Sequence, residues 1–320
     1  MKKILLSSAL ACVAVCASTV HADDNSWKAA FSPLPSSLDS AENPVTPSKV
    51  ALGKKLFNDT RFSQDNTLSC NSCHNLKTYG VDNDSTSVGH KGQRGNRNSP
   101  TVYNAALHTA QFWDGRAGTV EQQALGPILN PVEMAMSSET QVLERLKADP
   151  ATVAEFKEAF PGESDPVTYA NVGKAIGAFE RTLITPSRFD EYLNGKEDAL
   201  TADEIKGAKT FLQAGCVACH NGSTIGGQMY QKLGLVKPYP TKDLGRFEVT
   251  KNEADKYFFK VPSLRNIEKT GPYFHDGSVK TLEEAVKIMG EYQLGKNLRD
   301  EETKEIVTFL RSLTAPLPAM

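Results

Sequence analysis

The sequence predicts a mostly α-helical protein made of two related domains, and three observations carry that expectation. The phrase FWDGRAGTVEQ at 112–122 returns as FHDGSVKTLEE at 274–284, with Trp113 replaced by His275. Each half contains one tight Cys-x-x-Cys-His motif, CNSCH at 70–74 and CVACH at 216–220. Apolar residues recur at helical spacing before each motif and at the close of each half, whereas strand-like alternation is scarce.

The chain opens on MKKILLSSALACVAVCASTVHADD, with a charged start, a short apolar run broken at Ser18 and Thr19, and small residues leading to Ala22. That is the pattern of a cleaved secretory signal over residues 1–22. A lipoprotein anchor on Cys16 is disfavoured by Val15 before it. No later segment is long and apolar enough to span a bilayer. The mature protein is therefore expected to be soluble and exported, most simply to a bacterial periplasm. The 320 residues of the full chain suffice for two domains. A net charge of −2 and a pI near 6.3 leave no basis for a nucleic-acid partner.

Cys12 and Cys16 leave with the leader, so the remaining cysteines are the two motif pairs Cys70/Cys73 and Cys216/Cys219. Two thiols three positions apart on a helical turn can form thioethers with the two vinyl groups of one haem. The adjacent His74 or His220 then ligates the iron from below. Disulfides would leave the histidine after each pair unexplained. A single zinc site would have to join pairs 143 residues apart, and a thioredoxin-like pair lacks its βαβ setting. Covalent attachment explains both motifs, giving two cytochrome c-like domains, each with one covalently bound haem c.

A shift of 162 residues also lays SPTVYN on VPSLRN, pairing Pro100 with Pro262 and Asn104 with Asn266. The motifs themselves differ by 146, so the second half carries an insertion around LVKPYPTKDLGRFEVTKNEADKYFF. Before the motifs, VALGKKLFND and EIKGAKTFLQ offer Leu56, Phe57, Phe211 and Leu212 as core contacts. NVGKAIGAFERTL and EETKEIVTFLRSL close the halves, with Ile176, Phe179 and Leu183 on one face and Ile306, Phe309, Leu310 and Leu313 on the other's. Pro186 in TPSRFDEYLNG ends the first half, which sets an N-terminal domain at 23–184 and a C-terminal domain at 185–320. FSPLPSSLDSAENPVTP reads as an extended arm before the first domain.

Iron held by His and Met suits electron transfer, and an open sixth position suits chemistry. Met289 follows the second copy of the repeated phrase, and the 162-residue shift sets Pro127, which cannot ligate iron, opposite it. The pattern suggests a Met-ligated second haem and a first haem without that ligand. On the residues alone, Met289 is equally a core side chain beside Ala285, Val286 and Ile288. His90, in the Gly-rich basic loop SVGHKGQRGNRN, is either a solvated histidine or a removable ligand.

Taken together, CNSCH, GHKGQRGNRNSPTVYN, FWDGR, GPILNPVEMAMS, CVACH, VPSLRN and GPYFHDGS resemble the bacterial dihaem cytochrome c peroxidase family over essentially the whole mature chain. The resemblance implies a periplasmic, homodimeric enzyme. It would reduce hydrogen peroxide to water with two electrons from a small donor, a monohaem cytochrome c or a cupredoxin. The His74 haem would be peroxidatic with His90 as its displaceable distal ligand, and the His220/Met289 haem would receive electrons. By position, Glu133 matches the carboxylate above the peroxidatic iron, Gln123 a polar neighbour of that pocket, and Trp113 the residue on the path between haems. Asn98, with the backbone carbonyls of Thr270 and Pro272, matches a calcium site, for which an oxygen-rich donor set is suited.

Without the resemblance, Glu133 reads as a surface or helix-start carboxylate, Trp113 as core and Asn98 as a turn residue. His108 and His275 default to structural hydrogen bonding. Two other functions fit two haems: a non-catalytic dihaem electron carrier, and a MauG-type oxidase that modifies another protein. That subgroup uses a related dihaem scaffold but has a tyrosine where this chain has Met289, which argues against it here.

Overall fold

The structure, a computed structural model, describes residues 26–318, and the expected leader lies outside the described residues. Each half is built on one pair of crossing helices. In the first, α1 (Pro47–Phe57) crosses α2 (Tyr169–Glu180). In the second, α3 (Ala202–Ala214) crosses α4 (Asp300–Ser312). Local sequence starts them: Thr46 and Thr168 accept hydrogen bonds from Lys49 N–H and Asn171 N–H, and Pro47 opens α1. Thr201 and Glu204 form a reciprocal capping box on α3.

Both crossings close through a glycine. A Cβ on Gly53 would lie 1.9 Å from Ala175 O, and one on Gly207 would lie 2.1 Å from Glu305 O. The ring pair Phe57–Phe179, at 5.5 Å between centroids, recurs as Phe211–Phe309 at 5.4 Å. The expected faces are buried: Leu56, Ile176, Phe179 and Leu183 in the first core, and Ile306, Phe309, Leu310 and Leu313 in the second. Leu212 only rests against its core.

The repeated phrase folds alike twice. Gln111 bridges to Ala117 and Tyr273 to Val279, with Phe112 and Phe274 at φ 67° and 68°. Asn104 Oδ1 accepts from Thr185 N–H and Asn266 Oδ1 from Ala315 N–H, each at 3.0 Å. The insertion in the second half is closed by a two-stranded antiparallel ribbon, β1 (Tyr230–Lys232) against β2 (Phe258–Lys260). Among the described residues no helix is long and apolar enough to cross a membrane.

The chain ends exchange places. Trp27 and Phe31 of the N-terminal arm join Phe189, Tyr192, Phe211 and Phe309 in the second core. At the other end Leu317 packs on the first core, and the Tyr79 hydroxyl donates to Ala315 O at 3.1 Å.

Candidate functional site

In the first motif Cys70–Cys73 forms one helical turn and His74 N–H donates to Cys70 O at 2.9 Å. In the second, Gly215 (φ 98°) ends α3, Cys216–Ala218 forms a 3-10 turn, and His220 N–H donates to Cys216 O at 3.0 Å. No disulfide joins these four cysteines. Burial pushes Cys70 up to about 12 and Cys216 up to about 11. Burial also pushes His74 down, and His220 down to about 4. Neutral imidazoles are the form that binds iron. His220 Nδ1 lies 3.3 Å from Ile225 O, which orients the ring and leaves Nε2 for a metal. The donor set therefore fits two haem c groups, one per domain.

Met289 lines the same largely apolar cavity as Cys216, Cys219 and His220. It sits where the helix Leu282–Ile288 passes into a π-helical turn, Met289–Gln293, a distortion common at functional sites. The structure thus places Met289, the residue that the 162-residue shift singled out, in the cavity of His220.

In the first domain, His90 N–H donates to Glu133 O at 2.7 Å, and Gln93 Nε2 donates to Pro131 O at 3.2 Å. The loops approach so closely that a Cβ on Gly89 would fall 1.9 Å from Val132 O. His90 Nδ1 lies 3.4 Å from Asp65 Oδ2. Burial pushes the Glu133 carboxyl up, while Arg116 and an Asn130 hydrogen bond pull it back. Arg116 itself stacks 3.4 Å above the Phe112 ring. Gln123 ends the short helix Val120–Gln123, half-buried, and makes no hydrogen bond to Glu133.

The halves meet along a pseudo-symmetric seam. Asn98 N–H donates to His275 O at 2.7 Å, and Lys260 N–H donates to Trp113 O at 2.8 Å. The same 162-residue shift relates the two donors and the two acceptors. Trp113 Nε1 donates to Asn98 O at 2.9 Å. Asn98 Nδ2 donates to Asp84 O at 3.0 Å, leaving Oδ1 unused, and Asn98, Thr270 and Pro272 line one cavity. His275 is buried, bonds Thr241 Oγ1 through Nε2 at 2.9 Å and lies 4.5 Å from the Phe259 ring. Sequence reasoning missed Arg97, which bridges Asp243 (2.6 Å) and Asp114 (2.5 Å) across the seam. The only signal was its place in a basic run.

Comparison with known proteins agrees with this geometry. Residues 47–198 match the family described as di-haem cytochrome c peroxidase, and residues 205–314 match cytochrome c. The chain is 50% identical over 282 residues to the cytochrome c551 peroxidase of Nitrosomonas europaea, covering 87% of this chain and 83% of that protein. It is 49% identical over 298 residues to the cytochrome c551 peroxidase of Pseudomonas aeruginosa, covering 91% and 86%. A solved MauG-like protein associated with microbial copper homeostasis superposes with a TM-score of 0.80 at 31% identity, covering 88% of this chain and 93% of that one. Duplicated haem-binding folds, a His/Met pair facing one cavity and these matches over most of its length together place the chain in the dihaem cytochrome c peroxidase family.

Proposed function

We propose that the protein is a periplasmic peroxidase that reduces hydrogen peroxide to water with electrons from a small carrier protein, a monohaem cytochrome c or a cupredoxin. The observation that carries this reading is the 2.7 Å main-chain hydrogen bond that holds the His90 loop beside Glu133, whose carboxyl burial pushes up. Haem c supplies the iron that binds peroxide and the one-electron steps. The remaining work falls to the chain.

Cys70, Cys73 and His74 would hold one haem, and Cys216, Cys219 and His220 the other. Met289 would join His220 in holding the second, a donor pair suited to electron transfer. His90, on a loop, would be a displaceable donor to the first. Glu133 would take a proton from one oxygen of peroxide and return it to the other, which leaves as water when the O–O bond breaks; two electrons from the carrier protein and two protons from solvent convert the remaining oxygen to a second water. Burial keeps its carboxyl able to hold that proton, and Arg116 keeps it able to release it. Gln123 completes the polar edge of the pocket, and Trp113 lies on the electron path at the seam. Asn98 Oδ1 with the carbonyl oxygens of Thr270 and Pro272 forms the protein's share of a calcium site. The domain division at 184/185 and a homodimeric assembly belong to the same proposal.

Glu133→Gln is expected to lower kcat about 10²–10⁴-fold with both haem spectra intact, measured as peroxide consumption with a reduced donor cytochrome. Wild-type rates in this variant remove Glu133 from the chemistry. A wild-type protein that turns over no peroxide refutes the peroxidase reading in favour of electron carriage or protein oxidation.

A further inference from the structure

The seam contains a buried cation without a counter-charge. Lys260 is 5% exposed, and its ammonium meets His108 Nδ1 at 3.1 Å. Burial lowers the Lys260 pKa to about 8, and burial with the neighbouring lysine keeps His108 neutral. Other buried cations are matched: Arg97 by Asp243 and Asp114, and Arg265 by Asp190 at 2.5 Å. Among the described residues no carboxylate pairs with Lys260. The contact is not slack, because a Cβ on Gly227 would fall 2.4 Å from the His108 ring.

An ammonium taken out of water is strongly unfavourable unless an anion completes it. Lys260 and His108 line the cavity that also holds Cys216, Cys219, His220, Met289 and Trp113. A haem c in that cavity brings two carboxylates of its own, its propionates. The 162-residue shift sets Lys260 on Asn98 and His108 on Thr270, so the Lys260–His108 contact takes one residue from each half and is the pseudo-symmetric counterpart of the Asn98/Thr270 oxygen donors.

We propose that Lys260, held by His108, is the counter-ion of a propionate of the haem in the C-terminal cavity and raises that haem's reduction potential beside Trp113. The inference rests on haem occupying this cavity and not on peroxide being the substrate. A fixed positive charge favours the ferrous state, which carries one positive charge fewer than the ferric.

The test uses holoenzyme whose haem propionates are isotope-labelled. Redox-difference infrared spectra and spectroelectrochemical titrations of the Met-ligated haem are recorded for wild type, Lys260→Met and Lys260→Arg. A propionate carboxylate band is expected to move in both variants. Lys260→Met is expected to lower the reduction equilibrium constant about tenfold, or about 59 mV for one electron, and Lys260→Arg to hold it within about threefold. If the methionine variant fails to fold, the charge-conserving arginine variant still reports on the band. Unmoved propionate bands in Lys260→Arg overturn the proposal, as does an unchanged potential in folded Lys260→Met carrying both haems.

Discussion

Replacing Gly207 by alanine sets two rules against each other. In an isolated helix the change gains about 0.8–1.0 kcal/mol of helix propensity. At this position, however, the added carbon would lie 2.1 Å from Glu305 O and 3.0 Å from Phe309 Cβ. The nearer atom is main chain and has no rotamer to escape into. To restore ordinary contact, α3 must retreat from α4 by on the order of 1 Å, which loosens the Phe211–Phe309 pair behind it. Overpacking of this kind costs about 1–3 kcal/mol, and the loosened contacts add to it. The net expectation is a loss of about 1–2 kcal/mol, or a fall in Tm of about 2–8 °C for a domain of this size. Scanning calorimetry of the holoenzyme, with the haem absorption followed in parallel, reads the transition. Its twin, Gly53→Ala, faces Ala175 O at 1.9 Å and should lower the first domain's transition instead. A Tm equal to or above wild type in Gly207→Ala would refute the argument that packing overrides propensity here.

Two further perturbations follow from the same geometry. Glu180 is buried, and desolvation, helped by Glu121 and opposed by Arg181, pushes its carboxyl up to about 8. The folded state thus keeps a proton that the unfolded state releases, and stability falls as pH rises from about 4.5 to about 8. Glu180→Gln is expected to exceed wild type by about 2–4 kcal/mol at pH 8 and to match it near pH 4; parallel urea-unfolding stabilities at both pH values would exclude this. If the proposed calcium site holds, Asn98→Ala weakens calcium binding about 10–100-fold, measured by calorimetric titration of chelator-stripped holoenzyme, and an unchanged affinity removes Asn98 from the site.

Much of this was legible because it is local or repeated. The Cys-x-x-Cys-His spacing is chemistry written in five residues. The 162-residue shift located Met289 against Pro127, and the shared faces of Phe179 and Phe309 follow from helical period. What stayed hidden depends on residues far apart in sequence. Phe31 read as the start of an extended arm and Trp27 carried no reading, because their partners Phe189, Phe211 and Phe309 lie more than 150 residues away. Lys260 and His108 come from different halves, and neither sits in a motif. Arg97 looked like one more charge in a solvated loop until Asp114 and Asp243 closed on it. His275 drew notice as the changed word of the repeat. Its structural role, as a buried ring bonded to Thr241, could only be read from the fold.

The exchanged chain ends bear on how the protein comes into being. A chain delivered N-terminus first ordinarily completes its leading domain before the trailing one exists. Here the earliest aromatic residues, Trp27 and Phe31, wait for Phe309, and the first core waits for the cover of Leu317, nearly the last residue described. Neither lobe is finished until both are present, so maturation ends in one joint event rather than two successive ones. Severed near residue 185, the fragments would each carry a piece of the other's interior and would behave as complementing halves, each needing the other to complete its core.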